Sequence, residues 1–370
     1  MKLQISQENL SKAVSLAARF TSVRAQLPIL GNILLTADKT KLNISSTNLE
    51  VSVSTQITAK VEKEGEVSVP SKILTEIISN LSKEVLTLEA EKEQLKVSNS
   101  SFSSKVLGMN TSDFPKVPNS LDKNKVITLD AEKFFEGLSR VLFATSVDET
   151  RPLLTGVLFI LDGSSLTLVA TDGFRLSRKK IKIDKNKSSG LKVILPKLVL
   201  SEIGRSSEEK EISFELQENE KQALFGLGDV TLSTRILEGE YPDFEKIIPK
   251  DALLKVSLDK EDLLRSIKLS APFARENSNI VKFKILKDGI NVSAESAQGG
   301  NQETKIEAKV EGDSKNFEIS FNFKFLEDFL GSVKGEEVQI QFTTTDKAGV
   351  FLDSTDSEYL HLIMPVRIQG

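Results

Sequence analysis

The chain has no cysteine, no tryptophan, two tyrosines and a single histidine, His361. Without cysteine there is no disulfide, no thiol nucleophile and no thiolate metal site. One histidine excludes a His-based zinc cluster and a conventional Ser-His-Asp triad elsewhere in the chain. A lone histidine near a terminal strand reads as a surface or packing residue, with no role assigned. The GxxxxGKS/T and GxGxxG loops and EF-hand spacing are missing as well. No aromatic platform interleaves with the basic residues, which disfavours a single-strand binder that stacks bases. No apolar run approaches the ~20 residues of a membrane span. The opening MKLQISQENL lacks the apolar stretch of a signal peptide. The expectation is a cytoplasmic protein with no catalytic residue, no metal and no cofactor.

What is present is a threefold repeat. A chain of 370 residues, 39% apolar and 28% charged, is long enough for two to three globular domains. Three segments open alike: KLQISQENLSKAVSLAARF from Lys2, VITLDAEKFFEGLSRVLFAT from Val126 and LKVSLDKEDLLRSIKLSAPFAR from Leu254. Each reads as a short alternating strand, a polar N-cap and a helix. Ile5, Leu129 and Leu258 occupy matching strand positions. A second family places Pro70, Pro196 and Asn322 at a strand-to-helix break, 126 residues apart each time. Proline suits that position because its missing N–H costs nothing at a helix start. A third family of strands matches at Ile44, Leu168 and Val292, 124 residues apart each time. Such constant spacing predicts three similar α+β domains, 1–120, 125–247 and 248–370. Pro-, Lys- and Asp-rich linkers separate them near Lys116 to Lys125 and Ile247 to Leu253.

A net charge of −4 argues against a simple basic-patch binder. The charge is unevenly spread, however. Six helices are predicted, near 7–20, 71–83, 131–143, 196–206, 260–275 and 322–334; together they carry +5, leaving −9 for the rest. Six such helices on one surface would attract phosphate without reading sequence, through counterion release. The plainer reading of the same charges is a set of solvated helix faces.

Four stretches carry a resemblance over the whole chain. They are LPILGNILL (Leu27 to Leu35) after Arg24, TRPLLTGVLF and ATDGFRL between Thr150 and Leu176, EYPDFEKIIP (Glu240 to Pro249), and HLIMPVRI (His361 to Ile368). In this order, on a threefold repeat, they resemble the bacterial DNA polymerase III beta subunits, the beta sliding clamps. The resemblance implies a DNA-clamp fold: three similar domains, each of two βαβββ units, with helices lining a pore and sheets outside. It implies a ring-shaped homodimer that encircles duplex DNA, confers processivity on the replicative polymerase and does no chemistry itself. The implied partners are double-stranded DNA (sequence-independent), the polymerase catalytic subunit, a clamp loader, other clamp-motif proteins and a second copy of the chain, with no membrane.

Residue by residue, Arg24 and Lys72 match family positions that touch DNA, and Lys12, Lys197, Arg205 and Lys268 are further helix cations assigned to that role. Pro152 and Leu153 follow Arg151 where the family often has an aromatic pair, which alters that DNA-side contact. The partner-peptide groove maps onto Leu154, Thr171, Gly173, Phe174, Arg175, Leu176, Pro242 and Ile247, and onto the tail residues Leu362, Ile363, Met364, Pro365, Val366, Arg367 and Ile368. Phe174 replaces a common His and Lys246 a common Arg, so a shifted motif preference is expected. Val106, Phe273 and Ala274 fall at the implied dimer interface. Without the resemblance, TDGFR reads as a turn between strands and MPVRI as a last strand. Two other functions stay open on the residues alone. One is a repeat-built protein scaffold that never touches DNA, separable by whether the helix cations converge. The other is a carboxylate-dependent two-metal hydrolase, which needs converging acidic residues; Asp172 and Asp243 read instead as turn residues.

Overall fold

The structure is a computed structural model that describes residues 1–22, 26–184, 190–205 and 209–367. The first repeat runs β1 (Lys2–Ser6), α1 (Gln7–Ala18), β2 (Asn32–Asp38), β3 (Lys41–Thr47), β4 (Val51–Thr58), β5 (Lys60–Lys63), β6 (Gly65–Pro70), α2 (Ser71–Asn80), β7 (Val85–Glu91), β8 (Gln94–Ser98) and β9 (Ser103–Leu107). The second runs β10 (Ile127–Asp130), α3 (Ala131–Ser139), β11 (Gly156–Asp162), β12 (Ser165–Thr171), β13 (Arg175–Lys182), β14 (Leu191–Pro196), α4 (Lys197–Gly204), β15 (Glu211–Gln217), β16 (Gln222–Leu227) and β17 (Val230–Arg235). The third runs β18 (Leu254–Asp259), α5 (Lys260–Ala274), β19 (Ile280–Ile285), β20 (Gly289–Ser296), β21 (Gly300–Glu307), β22 (Lys309–Gly312), β23 (Glu318–Asn322), α6 (Phe323–Ser332), β24 (Glu337–Phe342), β25 (Gly349–Asp353) and β26 (Tyr359–Ile363).

All six expected helices form, and each starts within one residue of its expected position. Their caps explain why the starts were legible. Backbone N–H groups of Asn9, Asp262 and Lys324 donate to the side chains of Ser6, Asp259 and Asn322, satisfying donors that the first helical turn leaves free. Pro70 and Pro196 sit directly before α2 and α4. The helix ends come earlier than expected, because the chain turns extended at Leu81 and Val333.

The repeats do not keep their sheets to themselves. The chain forms two compact units, Met1–Ala131 with Ser206–Ile236, and Glu132–Arg205 with Leu237–Gly370. The first unit holds a five-stranded sheet, β5-β1-β7-β8-β9, and an eight-stranded sheet, β10-β15-β16-β17-β4-β3-β2-β6. The second holds a nine-stranded sheet, β14-β11-β12-β13-β26-β25-β24-β18-β22, and a four-stranded sheet, β21-β20-β19-β23. Each long sheet is therefore two half-sheets from successive repeats, fused edge to edge. The fusing pair is β4 with β17 in one unit and β13 with β26 in the other, both antiparallel.

Inside the first unit, α1 lies against α2 and buries Leu10, Val14 and Ala17. In the second, α5 lies against α6 over a core rich in phenylalanine. There Phe321 meets Phe283 and Phe351 edge-on, with ring centroids 5.7 and 5.5 Å apart. Each fully buried side chain of this size contributes about 1.5–3 kcal/mol relative to exposure.

Candidate functional site

The fused pair β13–β26 carries two faces of different character. On one face, Leu176 and its cross-strand partner Leu362 join an apolar cluster with Leu158, Val169, Ile194 and Phe244. Leu153, Leu237, Tyr241 and Ile248 pack against that cluster and stay partly exposed. Burial raises the Tyr241 phenol well above its ordinary value, so it is neutral at physiological pH. Phe174, 60% exposed, and the exposed Ile247 and Met364 extend this apolar strip to the surface.

The turn that presents Phe174 is held by its own side chains. One Asp172 oxygen accepts from the backbone N–H groups of Phe174 and Arg175 (2.9 and 3.0 Å), and the other accepts from Arg175 Nε at 3.0 Å. Thr171 Oγ1 donates to the Arg175 carbonyl (2.6 Å) and accepts from Gly173 N (3.1 Å). Gly173 has φ +93°, a conformation in which a Cβ would also press on Arg151 at 3.2 Å. The Arg175 guanidinium points away from the strip: it reaches Asp328 and the Phe143 carbonyl and lies 4.4 Å over the Phe325 ring. The tail is fixed to the same frame, with Met364 N donating to Phe174 O and Val366 N to Ser320 O, each at 2.8 Å.

On the other face, His361 is completely buried between Phe329 and Phe143, with Nδ1 2.6 Å from Ser177 Oγ. Burial first, then the nearby Arg175 charge, push its pKa down to about 3. It is a neutral packing group, as a lone histidine should be. Its neighbour in the interior is Arg140, 1% exposed, which donates to Asp353 (2.9 Å), pairs with Asp356 and Glu136, and lies 4.7 Å over the Tyr359 ring. Burial raises the Asp353 pKa. Hydrogen bonds from Thr355, Arg140 and Lys334 N outweigh this and bring it to about 2.

Comparison with known proteins decides what this frame belongs to. Family models described as the N-terminal, central and C-terminal domains of the DNA polymerase III beta subunit match residues 1–118, 128–243 and 245–367. The chain is 30% identical to a beta sliding clamp of Synechocystis sp. (strain ATCC 27184 / PCC 6803 / Kazusa) over 392 residues, covering all of both chains. It is 30% identical to that of Chlamydia muridarum (strain MoPn / Nigg), covering 100% of this chain and 99% of the other. The solved sliding clamp of Bacillus subtilis superposes with a TM-score of 0.94 at 25% identity, all of both chains being covered. The chain belongs to the bacterial DNA polymerase III beta subunits, the beta sliding clamps.

The sites expected of a sliding clamp separate into several groups. Of the expected groove positions, Leu176 and Leu362 are buried in the apolar cluster, Leu154 is half-buried, Thr171 is buried, and Pro242, Ile247, Met364 and Arg367 are exposed. Pro365 and Val366 are partly buried. Ile363 belongs to the opposite, helix-side core. Ile368 and the DNA-contact position Arg24 lie outside the described residues. Among the cations, Lys72 and Lys268 are exposed and make no ion pair among the described residues, and Lys12 has only a 4.0 Å approach from Glu8. Arg205 is engaged by Glu202 at 2.5 Å. Burial, then Arg175, lower the Lys197 pKa, so this amine is half-withdrawn from solvent. Pro152 is exposed, but Leu153 packs on the apolar cluster of the groove. Val106 and Ala274 are buried in their own domains, whereas Phe273 is only partly covered. The helix sum of +5 counted Arg140 as outward charge; its ion pairs keep it inside. Among the described residues, no group of three or more His, Cys, Asp or Glu could hold a metal ion, and no helix is long and apolar enough to cross a membrane.

Proposed function

We propose that two copies of this chain close into a ring that encircles duplex DNA and tethers the replicative polymerase, the clamp loader and other proteins through the Phe174–Met364 groove. The observation that carries this is an unfinished joint at each end of the chain. The ladder Leu3–Leu88–Val97–Ser104 of the first repeat corresponds rung for rung to Ile127–Phe214–Phe225–Leu232 and Val256–Ile340–Phe351–His361. Leu232 then crosses to Val53, and His361 to Ser177. The third-repeat counterpart of Val53 and Ser177 is Gln302, on β21. Ser104 on β9 and Gln302 on β21 thus have no cross-joint partner among the described residues. A second copy supplies one, in the register Ser103↔Glu303, Ser104↔Gln302, Lys105↔Asn301, Val106↔Gly300.

The side chains around the open edges support this closure. Phe273 stands ten-plus residues into α5, where the equivalent Phe20 and Ala144 are buried at the finished joints. Leu269, the equivalent of buried Arg140, is 52% exposed. Two half-covered apolar residues beside an unpaired strand edge favour a partner that covers them. Closure would bring the exposed Lys72 and Lys268 into one pore. Phosphate contacts there would be weak, sequence-independent and screened within ~10 Å, so retention rests on topology and the chain acts without catalysis.

The test uses the cysteine-free background. Lys105 and Asn301 correspond to Ser233 and Ser52, whose hydroxyl oxygens lie 2.6 Å apart at a finished joint. Oxidation of K105C/N301C is expected to give a covalent species of twice 40.8 kDa that stays on circular DNA and runs off linear DNA. K105C/Q302C puts the second thiol on the opposite face and should not cross-link. A chain that stays monomeric and uncross-linked at all concentrations would overturn the ring.

A further inference from the structure

Beyond its apolar floor, the groove opens at the linker end into a cavity of about 460 Å³. Ile247, Met364 and Ala348 form its apolar side, continuous with the groove. Its other walls are the linker residues 246–251 and the turn 343–348. The two walls are tied together. Leu253 N donates to Phe342 O and Thr343 Oγ1 to Asp251 O, each at 2.9 Å. The cavity is therefore a fixed feature of the frame, and little ordering is needed when a ligand enters.

Its charge is biased. Lys246, Lys250 and Lys347 line it against Asp251 and Asp346, and Arg367 stands close enough to act on Asp346. Asp346 accepts from Thr344 Oγ1 at 2.7 Å, and Lys246 is engaged by Asp243 at 2.8 Å. Lys250 and Lys347 are exposed and have no ion-pair partner among the described residues. Beside this cavity Phe174 is exposed, and its neighbour Arg175 is turned in toward Asp328.

We propose that this cavity takes an acidic side chain of the docked partner peptide, so that the groove reads an apolar anchor flanked on one side by Asp or Glu. The inference rests on the groove reading above. Carboxylates meeting Lys250 and Lys347 at a half-open rim would gain affinity and fix the direction in which the peptide lies.

The experiment is fluorescence anisotropy with the full-length protein and labelled, C-terminally amidated decapeptides containing a central pair of large apolar residues as the anchor. Two Asp residues are placed before or after the anchor, and each peptide is matched by one with two Asn residues. One Asp placement is expected to bind on the order of tenfold more tightly than its Asn match, with the advantage shrinking as salt rises. In K250E/K347E, checked for an unchanged melting temperature, the matched peptides should bind alike. Equal binding of Asp and Asn peptides to the unaltered protein, in both placements, overturns the inference and leaves the groove standing. Failure of every peptide to bind overturns the groove reading itself. If amidated Asp and Asn peptides bind alike while an Asn peptide with a free C-terminus binds more tightly, the cavity takes a chain end and the side-chain assignment is overturned.

Discussion

The joint between repeats 1 and 2 and the joint between repeats 2 and 3 share one backbone and differ in nearly every side chain that matters. Both pair five residues across antiparallel edges, Val230–Thr234 with Thr55–Val51 and Tyr359–Ile363 with Lys179–Arg175. Both use the same turn. At the first joint Thr47 and Asn48 hold Leu49, Glu50 and Val51 as Thr171 and Asp172 hold Gly173, Phe174 and Arg175. Even the tail bond recurs: Arg235 N donates to Glu50 O as Met364 N does to Phe174 O. Yet the first joint is stitched by small hydroxyls, with Ser52 and Ser233 in contact, and the second by the buried Arg140–Asp353 pair. Where the second turn has glycine and an exposed phenylalanine, the first has leucine at φ +76° and a glutamate. The turn is a property of the repeat; the exposed apolar strip is a property of the side chains placed on it.

Substitutions that exchange or erase these differences test that view. R140A should have the largest effect, about 3–5 kcal/mol in urea unfolding, because it strands the Asp353 carboxylate; a loss below ~1 kcal/mol would make the pair dispensable. The same pair sets an acid limit. Asp353 has a folded pKa of about 2 against an ordinary 3.8, so its contribution is complete above about pH 4 and disappears as pH falls towards 2. D353N should flatten that part of the stability profile. Next, G173L places a side chain in the left-handed region, at a cost of about 1–2 kcal/mol, and should also abolish peptide binding through Arg151. The reverse change, L49G, should stabilise the protein by up to about 1 kcal/mol and leave DNA retention untouched. F174E, which copies Glu50, should weaken an apolar peptide by roughly tenfold while thermal stability is kept. S52A should cost about 0.5–1.5 kcal/mol by the same unfolding assay.

The threefold repeat, its spacing and the helix starts were legible because caps and alternating strands are local signals. The fusion of sheets across repeats was not, because an edge strand does not announce its partner. The Ser177–His361 contact spans 184 residues. Arg140 misled for the same reason: the carboxylate that draws it inside is 213 residues away. Val106, Phe273 and Ala274 were placed at an interface by resemblance; Val106 lies on the edge strand β9, and Phe273 is only partly covered. The groove positions came from resemblance alone. Arg175, a groove position by resemblance, turns its guanidinium to Asp328 and the Phe143 carbonyl, partners 153 and 32 residues away that no local signal announces.

The shared sheets also constrain how the chain is made. Strand β4 emerges early, but its partner β17 is completed only after a separation of 181 residues at the Ser52–Ser233 rung. At bacterial synthesis rates of roughly 5–20 residues per second, that edge waits on the order of ten to forty seconds. During this interval it is a bare template for any passing strand. Its Val-Ser-Val-Ser-Thr run, Val51 to Thr55, carries no charge to deter one. The first third of the nascent chain is therefore where holdase chaperones should crosslink most strongly, and the signal should vanish once residue 235 has left the ribosome.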